Sequence, residues 1–205
     1  MKLTEAILKQ LIKEVLEEGM KTASDLPEDV FVKVFRKGWS VVVMFTDKNG
    51  NKIKKVDPKT LERNPIYGTV MFEESYGDEP CDKSAVIEVT LVADGWGPLL
   101  YDIAMEVATM RSNGLAPDRL VVSNDAYGVW DYYLNKRPDV QSHQLDDEMN
   151  TLTPDPEDNC DQYAAKDAAR LSSSHQKWNE TPLSKRYTKE PTTIKALGDK
   201  LIWEL

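Results

Sequence analysis

The chain reads as an α+β domain of the broad α/β class, a mixed and mostly antiparallel sheet flanked by helices, and three observations carry that reading. Apolar residues alternate with period two through residues 30–73, and their spacing becomes helical after residue 97. The most apolar run of all, residues 84–93, passes directly into Asp94-Gly95-Trp96-Gly97, so that a strand, a glycine turn and a helix follow one another without a linker. Four strand signals in the first half, followed by strand, helix, strand and helix in the second, describe a sheet with both antiparallel and crossover connections.

The 205 residues suit one domain with appendages. The formal charge is −9, and nearly all of the excess lies beyond residue 75. The chain has no basic stripe with which to displace counterions, which argues against a nucleic-acid partner. No apolar run approaches the ~20 residues that span a bilayer, and the N-terminus lacks the apolar core of a secretory signal, so no membrane partner is expected. The two cysteines, Cys81 and Cys160, lie far apart and form no disulfide framework, which points to a reducing, cytoplasmic setting: the host cytoplasm, or the virion if the chain is viral.

Residues 1–23 form an amphipathic helix with Leu3, Ile7, Leu8, Leu11, Ile12, Val15 and Leu16 on one stripe. Thr4 caps it, Leu3 and Leu8 staple the cap, and Gly19 suits its end. It serves either to dock on the chain's own core or to seek a partner, and a boundary follows at 24–29. Strands are expected at 30–36, 39–46, 52–56 and 66–73, with a tight turn at 47–51 and a break at Asn64-Pro65. Residues 84–93 are expected as a central strand, apolar on both faces apart from Glu88 and Thr90. Gly97-Pro98 opens a helix to about residue 112, since proline in the first turn forgoes no intrahelical bond. A short strand at 119–123 and an aromatic helix at 126–136, stopped by Pro138, complete a core over 28–138. The remainder, 139–205, begins with eight acidic residues and no lysine or arginine through residue 161, expected as a solvated excursion. A helical stretch at 164–171, a loop at 172–174 and an apolar strand or turn at 194–204 follow.

The glycine turn supplies the chemistry. Bare amides at a helix N-terminus favour phosphate. The order of central strand, Gly95-Trp96-Gly97, a helix with Leu99-Leu100 in its first turn, a short strand and an aromatic helix resembles the core of the GNAT family of acyl-CoA-dependent N-acetyltransferases. Ser123-Asn124-Asp125-Ala126, with Trp130 four residues on, has the spacing of that family's second signature. The resemblance covers about residues 30–137. It implies acetyl-CoA held by Val92, Ala93, Asp94, Gly95, Trp96, Gly97 and Asn124, and acetyl transfer to an amine on a small molecule or a protein. The chain departs from the family pattern at Val92, where an arginine or glutamine is usual, at Asp94 inside the cradle, and at Trp130, where a tyrosine often protonates the leaving thiolate.

Attack of a neutral amine on a thioester needs a base, an oxyanion donor and an acid. Glu88 is the candidate base, because burial raises a carboxyl pKa; as an alternative it faces solvent. An amide near Leu91 or Val92 is the donor. Tyr132 and Tyr133 are the candidate acids and Tyr127 a third, with packing as the alternative for each. The segment around Asp155 has Cys160 where a calcium loop needs glycine, and His143, Cys160 and His175 lack zinc spacing, so no metal is expected. No Gly-x-Ser-x-Gly elbow is present.

The first nineteen residues also resemble short leader helices of T-even-like bacteriophage proteins, which are cleaved after Leu/Ile-x-Glu; Leu16-Glu17-Glu18 before Gly19 fits. That resemblance implies a second reading, a non-catalytic internal virion or host-interaction protein with prohead or other virion proteins as partners.

Overall fold

The computed structural model describes residues 20–74, 81, 83–171 and 177–205. The stripe of the predicted leader helix, residues 75–80 before Cys81, and the loop expected at 172–174 with His175 lie outside them. From Met20 to the first strand the chain forms only a single 3-10 turn, Ala23–Asp25, in which the Asp25 carboxylate accepts the Thr22 amide at 2.8 Å.

Eight strands form one sheet: β1 Phe31–Lys37, β2 Ser40–Thr46, β3 Gly68–Glu73, β4 Ala85–Val92, β5 Leu115–Ala116, β6 Val140–Gln144, β7 Lys185–Lys189 and β8 Leu201–Glu204. Their order across the sheet is β6-β7-β5-β4-β3-β2-β1-β8. β1 to β4 form an antiparallel meander, β4 and β5 are parallel, β7 runs antiparallel between β5 and β6, and β8 lies parallel on β1. The sheet is therefore mixed and mostly antiparallel. Among the described residues four helices accompany it: α1 Gly97–Arg111, α2 Asn124–Lys136, α3 Tyr163–Leu171 and α4 Thr192–Leu197. No helix among the described residues is long and apolar enough to cross a membrane.

α1 is buried from Leu99 to Ala108 and lies across the sheet on the face formed by Val41, Val43, Phe45, Val70 and Phe72. Gly68 permits that seat: a Cβ there would come within 2.6 Å of Leu100 Cδ1 and 3.1 Å of the Phe45 ring.

Four segments differ from the sequence reading. The strand expected at 52–56 shrinks to the single bridges Thr46↔Lys52 and Val56↔Arg63. Asp47 and Asp57 each bind nearby backbone amides and fold this stretch into turns, and Ile53 alone offers an apolar anchor. The strand expected at 119–123 is displaced to β5. Pro117 has no N–H to continue the ladder, and the Asp118 carboxylate takes the amides of Leu120 (2.7 Å) and Val121 (3.2 Å), which bends the chain away. The acidic stretch is a solvated loop only in part, around residues 148–157. It contains β6, and Asp146, Asp147 and Asp158 are buried. Asp146 Oδ2 accepts the amides of Leu152 and Thr153, and Asp147 Oδ1 that of Met149, so the carboxylates organise backbone instead of facing water. β7 was not anticipated, because its inward positions are Lys185, Tyr187 and Lys189.

The two cysteines, expected to remain unpaired, are joined: Cys81 and Cys160 form a disulfide with their Cα atoms 4.9 Å apart across 79 residues of sequence.

A buried charge network ties the outer elements to α1. The Glu106 carboxylate, fully buried, binds Lys189 Nζ and accepts the amides of Thr193 and Ile194, each at 2.7 Å, at the start of α4. One turn earlier Asp102 accepts two bonds from Arg137 (2.8 and 3.1 Å) and one from Tyr133 Oη (2.7 Å). Asp139 completes the Arg137 fork, and that pairing holds its pKa at about 2.

Replacing Lys189 by Met leaves Glu106 as an uncompensated buried charge. The variant is expected to lose roughly 3–5 kcal/mol of stability, read from its denaturant midpoint. Lys185 is buried, with Nζ bonded to Gln144 Oε1 and the Asn179 carbonyl, and burial lowers its pKa from 10.5 to about 8. Between these two values the unfolded chain binds more protons than the folded one, so stability rises with pH across that window. Lys185→Met is expected to remove this rise, as measured by denaturation at pH 7.5 and pH 10.

Candidate strand-edge and glycine-turn site

Paired residues on neighbouring strands share a face, so the register of β3 and β4 defines two surfaces. Phe72 pairs with Ile87 and Met71 with Val89, which leaves Glu88 as the extra residue of a β-bulge. The bulge falls just past the last pairing of β4 with β5, because those strands meet only at Ala85↔Leu115 and Val86↔Ala116. Beyond it, among the described residues, β4 has no strand partner on that edge. Val89 and Leu91, apolar residues in the middle of the sheet, are 46% and 48% exposed. This open edge leads directly to the glycine turn.

Glu88 lies on the face away from α1. Its Oε2 accepts Ser40 Oγ at 2.8 Å, and it shares a hydrogen bond with Glu73. Burial and the neighbouring Glu88 carboxylate raise the Glu73 pKa. Sequence reasoning missed Glu73, which ends β3 and pairs with Val86; only the bulge brings it beside Glu88.

On the α1 face of the same strand, Thr90 Oγ1 and Tyr101 Oη are 3.0 Å apart. Burial raises the Tyr101 pKa, and the Thr90 bond opposes that rise only in part. Tyr101 was also missed; its signal was its place one helical turn after Gly97, on the side of the helix that faces the strand.

The turn itself is well ordered. Val92 pairs with Gly68 at the end of β4, and the Ala93 amide donates to the Tyr67 carbonyl at 2.8 Å. Gly95 has φ +80°, a conformation that favours glycine, and its carbonyl accepts the Lys21 amide at 2.9 Å. Trp96 is buried edge-on against Phe45. Gly97 opens α1, and a Cβ there would meet nothing within 4 Å. The amides of Gly95, Gly97 and Leu99 have no acceptor among the described residues. Asp94 does not fill the cradle: its side chain is 99% exposed and stands 4.0 Å from Arg63. Arg63 also bonds Tyr67 Oη at 3.2 Å, and Lys55 lies over the same ring, so two cations from the loop before β3 flank the turn. No basic residue lies between Lys83 and Arg111 in sequence, and the fold supplies these from a distance.

The remaining sequence candidates do not converge. Tyr133 is buried, donates to Asp102, and lies on the α1 face, opposite Glu88. Burial, with Asp102 adding to it, pushes its pKa well up, so it is a fixed donor within the charge network. Trp130 stacks on Tyr187 at 5.1 Å and meets Tyr101 edge-on at 5.6 Å, inside the core. Tyr132 lines a cleft of about 460 Å³ with Lys21, Pro98, Asp102 and Arg137. Asn124 is exposed in the first turn of α2 and lines another cleft of about 520 Å³ with Tyr127, Val121 and Leu171.

No protein-family model matches the chain, and neither the curated proteins nor the solved structures contain a match.

Tyr133→Phe is expected to cost about 1.5–3 kcal/mol in the denaturant midpoint through loss of a hydrogen bond to a charged group. Any acyl transfer is expected to persist in that variant at the parent rate.

Proposed function

We propose that the chain is a GNAT-like N-acyltransferase that moves an acetyl group from acetyl-CoA to an amine of a small molecule or a protein. The observation that carries this reading is the parting of β4 from β5 at the Glu88 bulge, which leaves an open strand edge running into a glycine turn. The turn suits the coenzyme's pyrophosphate: three amides lack acceptors, the space above Gly97 is clear, and Arg63 and Lys55 stand nearby. Bound coenzyme would supply the thioester.

The chain's own residues would do the rest. The Glu88 and Glu73 pair would take a proton from the substrate ammonium, and the neutral amine so formed would be the nucleophile. The Val92 amide points to the open edge, since its neighbour Ala93 donates to Tyr67 on the β3 side, and it would donate to developing negative charge. Tyr101 with Thr90, on the opposite face, would take the acid role first considered for Tyr132 and Tyr133.

A second reading, a non-catalytic virion or host-interaction protein that keeps this fold, is favoured by one observation. Trp130, at the position where the family resemblance implies a tyrosine, is locked in the core, and Tyr133 is bound to Asp102.

Calorimetry and thermal shift with acetyl-CoA and coenzyme A separate the two. Coenzyme at a hundred times its dissociation constant is expected to stabilise the fold by about 2.7 kcal/mol. An unchanged melting temperature at millimolar coenzyme would overturn the enzyme reading. Where transfer is observed, Glu88→Gln is expected to lower kcat by about 10²–10⁴-fold with the coenzyme Kd unchanged.

A further inference from the structure

The two halves of the sheet meet at a seam only two residue pairs long. Beneath it lies a small apolar cluster, separate from the main core, made of Cys81, Val86, Ala116, Leu145 and Cys160. Val86 and Ala116 are themselves the last pair of the seam, so the disulfide rests directly under the point where β4 and β5 part. The other ties nearby are weaker: the bonds Ala85 N–H to Gly114 O (2.8 Å) and Asn113 N–H to Lys83 O (3.1 Å), and the exposed pair Lys83 and Glu157 at 3.5 Å.

Both cysteines are buried. Cys160 lines a polar cleft of about 410 Å³ together with Asp147, Glu148, Asp161 and Lys166. Three carboxylates there face one ammonium, and Asp147 and Asp161 already hold that ammonium at 3.3 Å each. A thiol arriving through this cleft reaches Cys160 first, and the cleft's charge opposes anionic thiols.

We infer that the Cys81–Cys160 disulfide is a redox-governed latch on the β4/β5 seam, opened through the acidic cleft by cationic or neutral thiols in preference to anionic ones. The thiolate of an incoming dithiol attacks Cys160 Sγ, the S–S bond breaks, and Cys81 leaves as a thiolate that takes up a proton. The second sulfur of the dithiol then displaces Cys160 as a thiol. The protein gains two electrons and two protons, and the dithiol becomes its cyclic disulfide. Opening frees the segments around residues 81 and 160 and loosens the strand edge past Glu88. Control of coenzyme binding by this latch rests on the acyltransferase reading, whereas the latch itself does not.

The test uses the full chain, oxidised in air. Alkylation and intact mass are expected to find no free thiol. At equal thiolate concentration, cysteamine is expected to reduce the bond on the order of tenfold faster than 2-mercaptoethanesulfonate at low ionic strength, and the rates are expected to converge at 1 M salt as the cleft's charge is screened. After reduction, hydrogen exchange is expected to quicken at residues 84–92 and 114–117 and to stay unchanged in α1. The double variant Cys81→Ser, Cys160→Ser is expected to match the reduced protein. Free thiols in the air-oxidised chain, equal rates for the two thiols at low salt, or unaltered exchange at the seam after reduction would each overturn the proposal. These readouts require no coenzyme, so their failure is distinguishable from failure of the acyltransferase reading.

Discussion

The Glu106 carboxylate, buried in the middle of α1, is the constraint on which the arrangement of this domain depends. It binds Lys189 at the end of β7 and the first amides of α4. β7 belongs to one end of the sheet, between β5 and β6, whereas α4 leads to β8 at the other edge. A single helix residue thus fixes elements that belong to opposite sides of the domain. Burying a carboxylate is costly unless its lone pairs are filled, and here an ammonium, a hydroxyl and two amides fill them. The same logic extends one turn along α1, where Asp102 orders Arg137, Tyr133 and the start of β6 through Asp139.

This network explains how the sheet can afford so short a seam. β4 and β5 share two pairs, too few to hold two half-sheets together by backbone bonds alone. α1 bridges them from above, packing on β2 and β3 on one side and on β5 and β7 on the other, while the apolar cluster and its disulfide close them from below. With its neighbours fixed by these means, β4 is released from pairing at the bulge. The open edge is therefore a product of long-range packing, and a strand that reads as fully buried in sequence keeps Val89 and Leu91 half exposed.

Local chemistry was legible in the sequence where it decides structure. The alternation of β1, the apolar run of β2, and the passage from β4 through Gly95 to Pro98 and α1 all follow from pattern and turn residues. The failures are of two kinds: a polar side chain read as exposed is buried by its partners, or a carboxylate takes backbone amides from a ladder. Lys185 and Lys189 hid β7, and Asp146 and Asp147 disguised a tightly bonded segment as a solvated loop. Asp118 and Pro117 moved a strand by a few residues because a side-chain carboxylate outbid the ladder for two amides. For the site, the glycine turn and Glu88 were visible, yet Glu73, Tyr101 and Arg63 were not. Each reaches the strand from elsewhere in the chain, and the Glu88 partner depends on a bulge that no local pattern announces.

Asp94 bears most directly on what the turn can hold. In sequence it places a carboxylate within a would-be anion cradle. In space it projects into solvent toward Arg63, and Arg63 and Lys55 are held by Tyr67 on the same side. An exposed pair at 4.0 Å is weak and readily exchanged, so under the proposed reading a phosphate would compete with Asp94 for the guanidinium rather than meet the carboxylate head-on. The helix dipole adds only a small term at such an open position. Under that reading, recognition at this turn would come chiefly from directed amides and from clear space above Gly97. Selectivity of that kind depends on shape, and it follows from the position of α1, which Gly68 and Leu100 set against the sheet and Glu106 holds in place.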